Sequence, residues 1–172
     1  MGDRAGGRRV TAPGVALELT AIEVAHLTSL VEQFSALVTE QESDAGDPAI
    51  ARLVPDAYAD TDAAREFRAL TESDLLQRRA ADAGLVLATL LRDGAPLRPE
   101  ELDAVSAEAV VSIPLDGERL SAWLRTLTAL RLVLATRLGI RTEADGDVDD
   151  PRYGVYEWLG YRLEGLLQAI DG

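Results

Sequence analysis

No cysteine and no lysine occur among the 172 residues, histidine occurs once, and the single methionine is Met1. The missing thiol excludes disulfide scaffolds, cysteine nucleophiles, cysteine-based zinc sites and iron–sulfur clusters. One imidazole excludes any site that needs two. With every one of the 17 basic residues an arginine, Schiff-base chemistry and the phosphate-binding lysine of P-loops are excluded as well. Aromatics are scarce: two Trp, four Tyr and two Phe serve the whole chain. No apolar run approaches the roughly 18–20 residues of a membrane span. The first ten residues carry neither an apolar stretch behind their arginines nor a Ser or Thr at position 6 for myristoylation. A cytoplasmic location is the expectation that these absences leave.

What is present fits a single globular domain: 47% hydrophobic and 27% charged residues, with mean hydropathy near zero. The net charge is −13, so direct binding to duplex nucleic acid, which rests on neutralised phosphates, is not expected. No motif names a reaction.

Local signals predict a mainly α-helical antiparallel bundle with a small amino-terminal β-hairpin-like element. Residues 1–9 read as a flexible start, and Val10–Leu19 as two extended runs around Pro13-Gly14. Thr20-Ala-Ile-Glu23 is a capping box that opens a helix to about Glu42, with Ile22, Leu27, Leu30, Phe34, Leu37 and Val38 as its apolar set. Asp47-Pro48 opens a short helical turn that Pro55 stops. Thr61 and Thr71 read as successive caps, the first of a short helix over about 62–70 and the second of a longer one over about 72–93, ended by Gly94. Pro99-Glu100 opens another short helix through about Ala109, and Val110–Pro114 reads as a brief extended segment. Asp116 is expected to cap a helix over about 117–138 closed by Gly139, and an acidic loop over 143–150 leads to a last helix over about 151–170. No repeat and no long linker divides residues 1–172.

Three helices carry apolar residues at four-three spacing: Leu76, Ala83, Val86 and Leu90; Leu120, Leu124, Leu127, Leu134 and Leu138; and Tyr156, Leu159, Leu163, Leu166 and Ile170. Arg131 falls on the second seam and Arg79 on the first. A charge taken out of water needs a partner, so Glu66, Asp74 and Asp56 are the candidate carboxylates for an internal ion-pair network. Arginine stems reaching to the bundle edge, or an anion site in the interior, are the other readings. Glu23-Val-Ala-His26 is half of a bundle di-iron motif without its second half, and His26 reads as an edge histidine or a pH-sensing one. Asp145-Gly-Asp-Val-Asp149 begins like a calcium loop but has Asp150 where glycine is required and Tyr156 where glutamate is required. No metal, cofactor or catalytic residue is assigned. Tyr153, Trp158 and Tyr161 crowd one stretch of the last helix, as core packing or as a surface for a partner or a second copy.

Arg52–Tyr58, Glu66–Thr71 with Asp74-Leu75, Trp123–Ile140 and Tyr156-Glu-Trp-Leu159 resemble an actinobacterial family of unknown function whose genes often lie beside that of the Clp adaptor ClpS. The resemblance covers about residues 15–170, and the Trp-Leu...Arg-Leu block is its most specific part. It implies a non-enzymatic regulator of the oxidative-stress response that acts in transcription through a protein partner such as a sigma factor. A redox-active cysteine pair cannot operate in this chain. The alternative is a small-anion-binding bundle, or an enzyme, using interior Arg/carboxylate pairs.

Overall fold

The computed structural model describes residues 14–40, 46–54, 62–142 and 145–171, the side chains of 62–69 excepted. The expected run 10–13, the flexible start, Pro55, Asp56, Thr61, the Glu66 side chain and Glu143 lie outside the described residues. The described chain is mainly helical, with a two-stranded antiparallel element that includes the amino-terminal strand. Strand β1 (Val15–Thr20) pairs with β2 (Val110–Leu115), so the partner of the first strand is the segment read as extended before Pro114. The pleat sends Leu17, Leu19, Ile113 and Leu115 into the core and leaves Ala16, Glu18 and Ser112 outside.

Helix α1 (Ala21–Thr39) starts at the expected capping box: the Glu23 amide donates to the Thr20 hydroxyl, and Glu23 Oε2 accepts the Thr20 N–H at 2.8 Å. Its buried stripe is Val24, Leu27, Val31, Phe34 and Val38. The short α2 (Pro48–Leu53) has Asp47 as its cap, accepting the Ala49 N–H at 2.8 Å. Asp47 also accepts from Arg137 at 2.5 Å, which pins α2 to the end of α5. Burial pushes the Asp47 carboxyl up, but the Ala49 amide and the Arg137 guanidinium outweigh it and hold it below its ordinary value.

Helix α3 (Asp62–Leu90) is continuous where two helices were expected. Thr71 lies within it. No proline or glycine separates the halves, so the Thr-x-x-Asp pattern at 71–74 has no break to cap. A 3₁₀ turn at Pro99–Glu101 and α4 (Ala104–Ala107) replace the single short helix expected there, with Asp103 capping the second piece. Helix α5 (Gly117–Leu138) has the expected bounds. Asp116 occupies its cap position without a side-chain hydrogen bond, whereas Gly139 closes it at φ 70° and lets the Ile140 N–H reach Ala135 at 2.8 Å. Helix α6 spans Pro151–Asp171.

Helix α5 packs against α2, α3 and α6, and α3 against α1. Contacts run in opposite directions along α3 and α5: Trp123 donates to Thr89 at 2.9 Å, while Arg125 bridges to Asp82 at 2.7 Å. With neighbours on several sides, the first half of α5 buries Leu120, Ala122, Trp123, Thr126, Leu127, Ala129 and Leu130, an arc of about half a turn at ~100° per residue, and Ala135 is buried nearer its end. Leu124 and Arg131 stand at the margin of that arc and are only partly buried. The leucine seam is therefore one edge of the buried face and not its centre. Leu127→Ala should cost about 3 kcal/mol in urea unfolding and Leu124→Ala about 1 kcal/mol; equal costs would place the seam at the centre after all.

Candidate functional site

Two constellations on α6 stand out. In the first, the Glu23 carboxylate does three things at once: it closes the α1 capping box, accepts the Trp158 indole N–H at 2.8 Å, and pairs with Arg162 at 2.5 Å. Trp158 and Arg162 are four residues apart, one above the other on a helix, so both reach the same acid. The Arg162 guanidinium lies over the Trp158 ring, 5.5 Å from its centroid, and donates to the Glu18 carbonyl of β1 at 3.2 Å. Burial raises the Glu23 pKa, but the Thr20 amide, the hydrogen bonds from Arg162 and Trp158 and the Arg162 charge together bring it below its ordinary 4.5. His26 is exposed at the wall of the adjoining cleft of about 520 Å³.

The second constellation centres on Arg131. Its guanidinium carbon lies 4.4 Å from the Tyr156 ring centroid, and its Nε is buried without a hydrogen-bond partner. A Cβ on Gly160 would stand 3.0 Å from that Nε, so the glycine is the seat on which the side chain lies. Among the described residues no carboxylate comes within ion-pair distance of Arg131. It lines a cleft of about 440 Å³ together with Arg52 and Arg141.

The remaining residues singled out in the sequence are dispersed. Arg79 donates to the Leu53 carbonyl at 3.3 Å, and its Nε too is buried and unpartnered. Burial lowers its pKa against the opposing effect of Asp82. It lines a different cleft from Arg131, beside Arg78, Asp82 and Arg125. Asp74 is exposed and is paired with neither arginine among the described residues. Trp158 is partly buried and hydrogen-bonded, which favours the packing reading for it, whereas Tyr161 is 70% exposed. Tyr153 stacks on Tyr156, 6.0 Å between centroids, and donates to Glu157 at 3.1 Å, a bond that raises its pKa. In the 145–149 loop Asp145 accepts the Arg141 and Thr142 amides at 2.8 and 2.7 Å, and Asp147 accepts the Asp149 amide at 3.0 Å: side chains turned to their own backbone. Among the described residues no cluster of three or more ligating side chains is suited to a metal. No helix there is long and apolar enough to cross a membrane.

Arg52, Arg141, Gly160 and Arg162 were not singled out in the sequence. Only two carried a signal: Arg162 at helical spacing from Trp158, and Gly160 in mid-helix, where glycine costs about 1 kcal/mol relative to alanine unless something approaches closely.

Because the folded Glu23 carboxyl sits below its ordinary value, its contribution to stability is complete above about pH 4.5 and is lost as the pH falls through the folded value. The Trp158 indole N–H resonance should move in that acid range while that of Trp123, held by Thr89, stays put. In Glu23→Gln the movement should vanish and stability should depend less on pH below 4.5.

No curated protein and no solved structure matches the chain. The family model of a domain of unknown function, DUF2017, matches residues 4–170, and the chain belongs to that family.

Proposed function

We propose that this domain is a non-enzymatic regulator that works by binding a protein partner through the outward side of α6. The observation that carries the reading is the exposure of that helix. Only Leu159 and Leu166 on it are fully buried, while Tyr161 (70%) and Leu167 (48%) stand exposed along one groove. Exposed tyrosine beside aliphatic side chains is the composition of interface anchors. The net charge of −13 favours a partner with a basic surface over nucleic acid. The interior Arg/carboxylate pairing on which catalysis would rest is not assembled among the described residues: Arg131 and Arg79 line separate clefts, and Asp74 faces solvent.

The sequence resemblance supports the finer part of this reading: an actinobacterial, cytoplasmic protein of the oxidative-stress response whose partner is a sigma factor, another transcription component or a Clp component. The input signal is then something other than cysteine oxidation.

The test is direct binding of purified sigma factors and Clp components from the same organism to the wild type and to Tyr161→Ala/Leu167→Ala. The double variant removes no buried side chain, so its melting temperature should be unchanged while affinity for the partner falls at least ~30-fold. Trp158→Ala is the wrong probe, because it also breaks the Glu23 bond. Full affinity in the folded double variant would exclude this face. Light scattering at tens of micromolar separates a heterologous partner from a second copy: a dimer that the double variant abolishes would make the face self-associating.

A further inference from the structure

The cleft that holds Arg131 differs in its charge from the rest of the molecule. The chain carries 30 carboxylate side chains against 17 guanidinium groups, yet this cleft gathers Arg52 from α2, Arg131 from α5 and Arg141 from just beyond α5, and no carboxylate among its described lining. Like charges brought together without counter-charges repel one another, so the arrangement is unfavourable until an anion enters. Such a cluster in a strongly acidic protein is a local feature that the overall composition opposes.

Each cation is also left available. Arg131 lies over the Tyr156 ring, which engages the face of the guanidinium; its Nε is buried without a partner, and among the described residues none of its other N–H donors is hydrogen-bonded. Arg52 and Arg141 are exposed and take part in no ion pair within the described residues. The nearest acids make no ion pair with these arginines among the described residues, although the Arg141 charge helps to lower the Asp145 pKa. Asp145 accepts the amides of Arg141 and Thr142. Glu157 and Glu164 line a second groove that Arg131 also reaches, past Gly160, outside ion-pair distance.

The remaining lining says what kind of anion fits. Tyr156 offers a phenol and a ring edge, the Thr128 hydroxyl is turned to the Leu124 carbonyl, and aliphatic side chains of α5, α6 and Ile140 cover the rest. Planar guanidinium groups with their forked donors suit a phosphoryl group, and three of them suit a dianion better than a single carboxylate. The volume of about 440 Å³ lies in the range of small-molecule sites and exceeds what an inorganic ion fills. We propose that this cleft is a binding site for a small organic phosphate, with Arg131 as its fixed anchor, Gly160 as the seat that holds the anchor in place, and Arg52 and Arg141 as the flanking cations. The site shares the Arg131 side chain with the groove of Tyr161 and Leu167, whereas Arg52 and Arg141 belong to this cleft and not to that groove, so variants of those two test it separately.

Calorimetry on the full chain at low ionic strength tests it with three probes: phenyl phosphate, inorganic phosphate and benzoate. Phenyl phosphate should bind with a Kd below about 1 mM, tighter than inorganic phosphate, which lacks the apolar body, and tighter than benzoate, which carries half the charge. Raising the salt to about 0.5 M should weaken it at least tenfold. Arg131→Gln should abolish binding. Should that variant fail to fold, Arg52→Gln/Arg141→Gln changes exposed side chains only and should weaken binding at least tenfold with unchanged circular dichroism. Benzoate binding as tightly as phenyl phosphate would overturn the phosphate assignment. No heat and no tyrosine resonance shift with any probe at about 10 mM, or equal affinity in the folded double variant, would overturn the site itself.

Discussion

The packing around α5 is the constraint to which the other elements answer. Three helices press on it, and it meets them with residues of two sizes: Leu120, Trp123, Leu127 and Leu130 fill space, while Ala122, Ala129 and Ala135 let neighbouring backbones come close. Trp123 is the largest fully buried side chain. Its single polar atom is satisfied by Thr89 on α3, so a bulky aromatic enters the core without an orphaned donor. Because burial of α5 extends over a broad arc, the charged residue that the heptad places on the seam ends at the rim, where an aromatic face and a glycine receive it.

Helix α6 is attached differently at its two edges. On the α5 side it gives Leu159 and Leu166 to the core. On the other it is tied through Glu23 to α1, and through Arg162 to the backbone of β1. One carboxylate thus joins the start of α1, the first strand and the last helix. Removing it would leave an arginine and an indole N–H unpaired at once, a larger loss than the mean value of one hydrogen bond suggests.

Much of the fold was legible from residues that act locally. The Thr20/Glu23 box, Asp47-Pro48 and Gly139 each set a helix end through their own backbone geometry, and the structure places those ends where such chemistry requires. The break expected at Thr71 misled because a capping pattern is permissive and becomes a boundary only where the helix also lacks a reason to continue. The site was less legible for a different reason. Arg52, Arg131 and Arg141 lie on three segments, and their convergence depends on how α2 docks on α5. The heptad could flag Arg131 as out of place. It could not show that Arg131 meets a tyrosine face instead of Asp74, since a ring one helix away leaves no mark in the pattern of α5.

The two strands carry a consequence for how the chain reaches this state. Thr20 and Val110, neighbours in the sheet, are ninety positions apart, and a loop of that size closes slowly because its entropy must be surrendered before the ladder forms. The α3 and α5 pair, joined by a far shorter connection, has no such handicap. The α2 and α5 contact, with Asp47 and Arg137 also ninety positions apart, carries the same handicap, so sequence separation favours the α3 and α5 pair as the early contact. A nascent chain would hold β1 unpaired until residue 110 has been made, so this strand is synthesised long before the partner that completes its ladder.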